Sequence, residues 1–237
     1  KAYTIGVDEK TIDESDKARE YADYLQVNHK VKSITKTDLI NFIDEHFEAY
    51  PEPFGDYSSI PTFLITKEAV KDNTVMLSGD GADELFAGYN FLVNKPEKEL
   101  ESEIKRVCSI MHFPTQEIGK HLGIKIESPF LNQKIVEIAN QIPVNLKVKE
   151  ENGTRYGKWI LRKTIEKYIP EQIVWRKKSP MQEGAGTVGL TNLFESIINE
   201  EKYVEKKLTI EKNDQVVIRS RESMYYYEIF KKLHAQI

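Results

Sequence analysis

Two glycines, a serine and three carboxylates fall within seven consecutive positions, Ser78-Gly79-Asp80-Gly81-Ala82-Asp83-Glu84. Gly79 and Gly81 let the backbone come close to a ligand and adopt positive φ, and the Ser78 hydroxyl can donate to an oxyanion. These features suit a phosphate group, whereas acids beside a phosphate repel it. A magnesium ion removes the conflict by bridging oxygens of both. The plainer alternative is that Asp80 and Asp83 cap the helix that follows and favour its dipole. Two glycines, a serine and a third acid packed so closely tell against capping alone.

Further polar groups lie downstream. Arg176-Lys177-Lys178 precedes Glu183-Gly184-Ala185-Gly186; alone, the basic run reads as a solvated face. Lys158 and Arg162 share a helical face at i, i+4, where pairing with Glu166 competes evenly with a functional role. His112 and His121 form no metal spacing with a cysteine or a second acid cluster and read as structural. Cys108 is the single cysteine. It excludes an intrachain disulfide, points to a reducing, cytoplasmic compartment, and reads as a small helical residue near Ile104 and Ile110.

These groups need a scaffold. Val75-Met76-Leu77 reads as a buried strand running into the glycine turn and then a helix. In an open α/β sheet, ligands sit at the carboxyl ends of the strands, where Ser78 falls. Upstream, Ala2-Tyr3-Thr4-Ile5-Gly6-Val7 reads as a buried strand. Asp13 can cap a helix with Ala18, Tyr21, Ala22 and Leu25 on one stripe. His29-Lys30-Val31-Lys32-Ser33-Ile34 is a short strand, and Thr37 and Asp38 open a helix with Phe42, Ile43 and Phe47 on one side. A loop rich in proline and glycine leads from Tyr50 into a helix over residues 60–70. Such alternation predicts right-handed crossovers and a parallel sheet covered on both faces.

From about Pro96 the pattern turns helical, with apolar stripes through Ile135, Ile138, Ala139 and Ile142, through Leu161, Ile165 and Tyr168, and through Tyr226, Ile229, Phe230 and Leu233. The last is expected in the core. Residues 205–214 read as a surface excursion. The expected organisation is an α/β nucleotide-binding part over residues 1–95 and a mainly helical part over 96–237, folding together. A strand that opens almost at the first residue predicts that the polypeptide continues upstream.

The chain has 237 residues, is 40% hydrophobic and carries a formal charge of −4. That is enough to bury a substantial core and gives no general attraction to nucleic acid. No apolar run is long enough to span a bilayer, so no membrane role is expected.

Ser78-Gly79-Asp80-Gly81-Ala82-Asp83-Glu84-Leu85-Phe86-Ala87-Gly88-Tyr89 resembles the signature S-G-D/E-G-A/S-D-E-L/V-F-G/A-G-Y of asparagine synthetases, and the resemblance extends over nearly the whole chain. Thr4-Ile5-Gly6-Val7 looks like the family's second sheet strand. Ser128-Pro129-Phe130-Leu131-Asn132 is similar to V-P-F-L-D, and Lys158-Trp159-Ile160-Leu161-Arg162 to K-x-I-L-R. Trp175-Arg176-Lys177-Lys178 with Glu183-Gly184-Ala185-Gly186 is similar to the family's basic loop and D-G-V-G turn. Several motifs in the right order make chance agreement improbable.

The resemblance implies a sheet of adenine-nucleotide α-hydrolase type with a helical C-terminal half, and an ATP- and Mg²⁺-dependent carbon–nitrogen ligase. Adenine would lie near Ile5, with Ser78, Gly79 and Gly81 on the nucleotide or the activated substrate and Asp83 on Mg²⁺. Asp80 would bind the incoming amine or take its proton, and Lys178 would neutralise charge as pyrophosphate leaves. Glu84, Asn132, Glu183 and Gly184 would support the site or touch substrate. The implied substrates are aspartate, ATP and ammonia or glutamine, with a glutaminase domain or subunit as the possible partner.

This sequence also departs from the family. No S-G-G-x-D-S pyrophosphate loop precedes the Ile5 strand. The expectation is that it lies upstream of Lys1, that a separate chain supplies it, or that the chain is a non-catalytic nucleotide-binding paralogue. Asn132 stands where the family has Asp, and residues 111–123 are short and lack a D-x-x-R helix. Both changes keep open a relative that adenylates another carboxylic acid.

Overall fold

The computed structural model describes residues 1–7, 15–51, 59–176, 195 and 198–234. Its contacts gather the chain into two units, one of residues 1–74, 114–124 and 180–237, the other of residues 75–113 and 125–179. The boundary expected at residues 95 and 96 falls inside the second. Each unit is mixed α/β, with a small parallel ladder, and the C-terminal part is largely helical.

In the first unit, β1 (Ala2–Val7) pairs in parallel with β2 (His29–Ile34), placing Ile5 opposite Lys32. The helix Ser15–Tyr24 lies between them in sequence and packs on β1, burying Ala22. Its expected cap, Asp13, lies outside the described residues, and Leu25 falls beyond its end, half-exposed. The helix Lys36–Ala49 opens one residue before the expected Thr37 and Asp38. Thr35 Oγ1 accepts from the Asp38 amide at 3.1 Å while the Asp38 carboxylate accepts from the Thr35 amide at 2.9 Å. This reciprocal cap satisfies two otherwise unbonded donors and contributes about 1 kcal/mol.

That helix, Ser59–Ala69 and Thr115–Leu122 surround a core in which Ile5, Ile34, Phe47 and Phe63 meet Ile118 and Tyr226. Tyr226 comes from the C-terminal helix Arg221–His234 and is 1% exposed, so its stripe is core, as expected. The charged stretch expected as a surface excursion lies in a helix, Glu200–Asp214. The Asn199 side chain caps it by accepting from the Lys202 amide at 2.8 Å, and it buries no residue.

In the second unit, β3 (Val75–Leu77) pairs in parallel with β4 (Lys125–Glu127). The expected single covered sheet is replaced, among the described residues, by two-stranded ladders. Val75 and Leu77 are 50% and 72% exposed, so β3 is a strand but not the buried one expected. Val75 and Leu77, two positions apart, lie on one face of the strand, and that face is exposed.

Two strands also interrupt the part expected to be helical, β5 (Lys149–Glu151) and β6 (Thr154–Tyr156), in an antiparallel hairpin. Asn152 and Gly153 turn it with φ of 50° and 74°, as a tight hairpin demands. The longest described helices of this unit are Glu97–Ile110, Gln133–Gln141 and Trp159–Ile165. They bury Leu92, Leu100 and Ile104 in one cluster and Leu85, Phe86 and Ala139 in another. No helix among the described residues is long and apolar enough to cross a membrane.

Candidate functional site

The glycine turn grows from the carboxyl end of β3. The Ser78 amide donates to the Glu127 carbonyl at 2.9 Å, extending the β3–β4 ladder by one bond. The Asp80 amide then points to Ser78 Oγ at 3.4 Å, curling the chain. Gly81 takes φ +89°, where a side chain is strained, and a Cβ there would press into Leu131, 3.1 Å from its Cγ. Gly79 differs. It is exposed, it is not in the left-handed region, and a Cβ there would meet nothing within 4 Å. Internal packing therefore explains glycine at 81 but not at 79.

The short helix Ala82–Leu85 follows, with Gly81 as its N-cap and no side-chain capping bond. Capping is thus not what occupies the two aspartates. Asp83 pairs with Lys158, Oδ1 to Nζ 2.9 Å, with both side chains about one-fifth exposed. Asp80 Oδ2 is buried and has no hydrogen-bond partner among the described residues. Glu84 turns inward, 6% exposed, and accepts the Tyr89 hydroxyl. Cys108 Sγ lies 3.6 Å from the Glu84 carbonyl, and burial raises the thiol pKa.

Backbone contact brings Lys158 to the turn. Its amide donates to the Phe86 carbonyl at 2.9 Å, and it enters the helix Trp159–Ile165 in the left-handed conformation, φ 54°. Two glycines permit the approach. A Cβ on Gly157 would overlap the Ala87 carbonyl, and one on Gly88 would overlap Asp83 Oδ1 and lie 2.9 Å from Lys158 Cε. Glu166, the alternative partner for Lys158, is held instead by Lys163 at 2.7 Å. Arg162 donates to the carbonyls of Gly157, at 3.0 Å, of Val174, and of Arg176, at 3.0 Å. It thereby anchors the chain just before Lys177.

Ser78, Gly79, Asp80, Gly81, Asp83 and Glu84 therefore share one turn. Asn132 follows Leu131, which touches Gly81, and its Oδ1 caps the helix Gln133–Gln141 by accepting from the Lys134 amide at 3.0 Å. Ile5 belongs to the first unit, where its side chain is 5% exposed in the core. Lys178, Glu183 and Gly184 lie outside the described residues. Sequence reasoning left Lys158 open and passed over Tyr89 as a partner of Glu84. The turn's own sequence carries no signal for the first, and a hydroxyl five positions beyond an acid is a weak one for the second.

A carboxyl oxygen such as Asp80 Oδ2, withdrawn from water without a partner among the described residues, is costly and favours an arriving cation or donor. No cluster of three or more His, Cys, Asp or Glu among the described residues could hold a metal alone. The donor set fits magnesium, which binds through one or two carboxylates and completes its shell with phosphate and water.

Residues 1–116 and 116–233 match a family model described as Asparagine synthase. A probable glutamine-hydrolyzing asparagine synthetase of Dictyostelium discoideum is 31% identical over 199 residues, covering 77% of this chain and 36% of that protein. Glutamine-hydrolyzing asparagine synthetase 2 of Lotus japonicus is 30% identical over 240 residues, covering 92% and 39%. The Zea mays enzyme is 27% identical over 235 residues, covering 92% and 39%. The chain thus spans under two-fifths of the length of these relatives.

Proposed function

Because the chain belongs to the asparagine synthase family, we propose that it forms the ATP-dependent synthetase part of an asparagine synthetase. The aspartate carboxylate attacks the α-phosphorus of ATP and pyrophosphate leaves. Ammonia then attacks the acyl-adenylate carbonyl, giving asparagine and AMP. Little covalent work falls to the protein, and positioning and charge neutralisation carry the rate. Ser78 and the backbone of Gly79 and Gly81 take the nucleotide or the activated substrate. Asp80 binds the incoming amine or accepts its proton, and Glu84, held by Tyr89, steadies the short helix behind them.

Asp83 would hold magnesium, which supplies charge neutralisation on the polyphosphate. Ile5, its side chain committed to the core, meets adenine through its backbone, and Lys178 balances charge on the departing pyrophosphate. Glu183 and Gly184 support the site or touch substrate. Ammonia comes free or from glutamine through a glutaminase domain or subunit.

The observation that carries this reading is the buried, unpartnered Asp80 Oδ2 one residue from an unobstructed Gly79. The test is pyrophosphate release from Mg-ATP by the intact protein given aspartate and ammonium. We expect aspartate-dependent release that falls at least ~100-fold in Asp83→Ala and in Lys178→Ala, the scale of losing one electrostatic stabiliser. Release that ignores aspartate refutes the assignment. One observation favours a second reading, adenylation of a different carboxylic acid: Asn132 Oδ1, where the family has a carboxylate, is used as a helix cap. Release driven by another acid, with aspartate inert, selects it.

A further inference from the structure

Away from the glycine turn, the second unit withdraws one lysine almost completely from water. Lys147 ends the short helix Val144–Lys147 and is 3% exposed. Lysine is seldom buried so deeply unless paired. No hydrogen bond or ion pair reaches its ammonium from the described residues. The Cys108 thiol and the Glu101 carboxylate act on it only through space, and Glu101 is bonded to Lys105 at 2.7 Å. Burial lowers the Lys147 pKa, while Cys108 and Glu101 oppose the shift.

Lys147 lines a cavity of about 210 Å³ between the helix Glu97–Ile110 and the chain from Asn140 to Lys147. Glu101, Lys105, Asn140 and Gln141 share that lining. Since Lys105 and Glu101 offset one another, Lys147 leaves one uncompensated positive charge in a lining that also includes Asn140 and Gln141. A single charge matches a monoanion; a dianionic phosphate would call for a second free cation.

We propose that this cavity is a binding site for a small monocarboxylate, whose carboxylate accepts from the Lys147 ammonium and from the Asn140 and Gln141 amides. The site is separate from the glycine turn and independent of the reading of that turn. A bound carboxylate gives the buried ammonium the partner it lacks.

Propionate, phosphate and chloride, each titrated at constant ionic strength against the intact protein, provide the test. Propionate is expected to raise the unfolding midpoint saturably, by about 3–5 °C at tenfold excess over its dissociation constant. Lys147→Met should abolish that response, while Lys105→Met, at the exposed rim, should largely keep it. Should Lys147→Met fold poorly, the ¹⁵Nζ resonance of Lys147 in the unaltered protein serves instead and should shift with propionate. A flat propionate titration, an unmoved resonance, or a shift that survives Lys147→Met overturns the proposal. An equal response to phosphate overturns the monocarboxylate assignment.

Discussion

Each unit buries a polar atom that has no hydrogen-bond partner among the described residues, and the two settings are opposite. In the first unit the atom is His46 Nδ1. Its ring stands edge-on to Phe47, Tyr50 and Phe63 at 5.3, 6.5 and 5.8 Å, and Nε2 lies 2.8 Å from Ser59 Oγ. Burial holds its pKa down at about 4, so the imidazole stays neutral. In the second unit the atom is Asp80 Oδ2, one residue from a glycine open to solvent. A neutral ring nitrogen sealed among aromatics costs little enough to be part of a packed core. A carboxyl oxygen costs more, and where the neighbouring backbone is open a ligand can relieve it.

The largest expected effect bears on the sealed member. Above about pH 7 the imidazole is neutral in folded and unfolded chains alike and adds no slope. As pH falls below 6.5 the unfolded chain gains a proton that the folded chain refuses until about pH 4, so stability is lost through that window. The loss should be on the order of 3 kcal/mol. Urea unfolding between pH 7.5 and 4.5 measures it. His46→Gln should be weaker at pH 7.5 but fall less steeply, and parallel slopes would show that His46 is not the buried titrating group.

Next comes Gly88→Ala. The added methyl collides with the Asp83–Lys158 pair, and overpacking of this kind costs about 2 kcal/mol. Calorimetry and pyrophosphate release should fall together. Gly79→Ala sharpens the contrast most cleanly. Its methyl meets nothing, so stability should hold within about 0.5 kcal/mol, while KM for ATP rises if backbone there meets the nucleotide. An unchanged KM would make Gly79 an ordinary surface glycine.

Much of the architecture was legible because it rests on local periodicity. The strand at His29–Ile34, the helix ending near Ala69 and the core stripe through Tyr226 all follow from spacing alone. Asn152-Gly153 was an equally local signal for the hairpin that interrupts the helical half. The exposed β3 was not legible, because an apolar triplet reads the same whether or not another element packs over its face.

By itself, then, the sequence determined which residues crowd the glycine turn, which family signature they spell, and where most helices run. Those properties are set by neighbours a few positions apart. Tertiary structure alone decided that Lys158 takes Asp83 rather than Glu166, that Asp80 keeps an unpartnered oxygen, and that Lys147 faces a cavity. The physical reason is that pairing and desolvation depend on which distant segments meet, and chain order does not encode that distance.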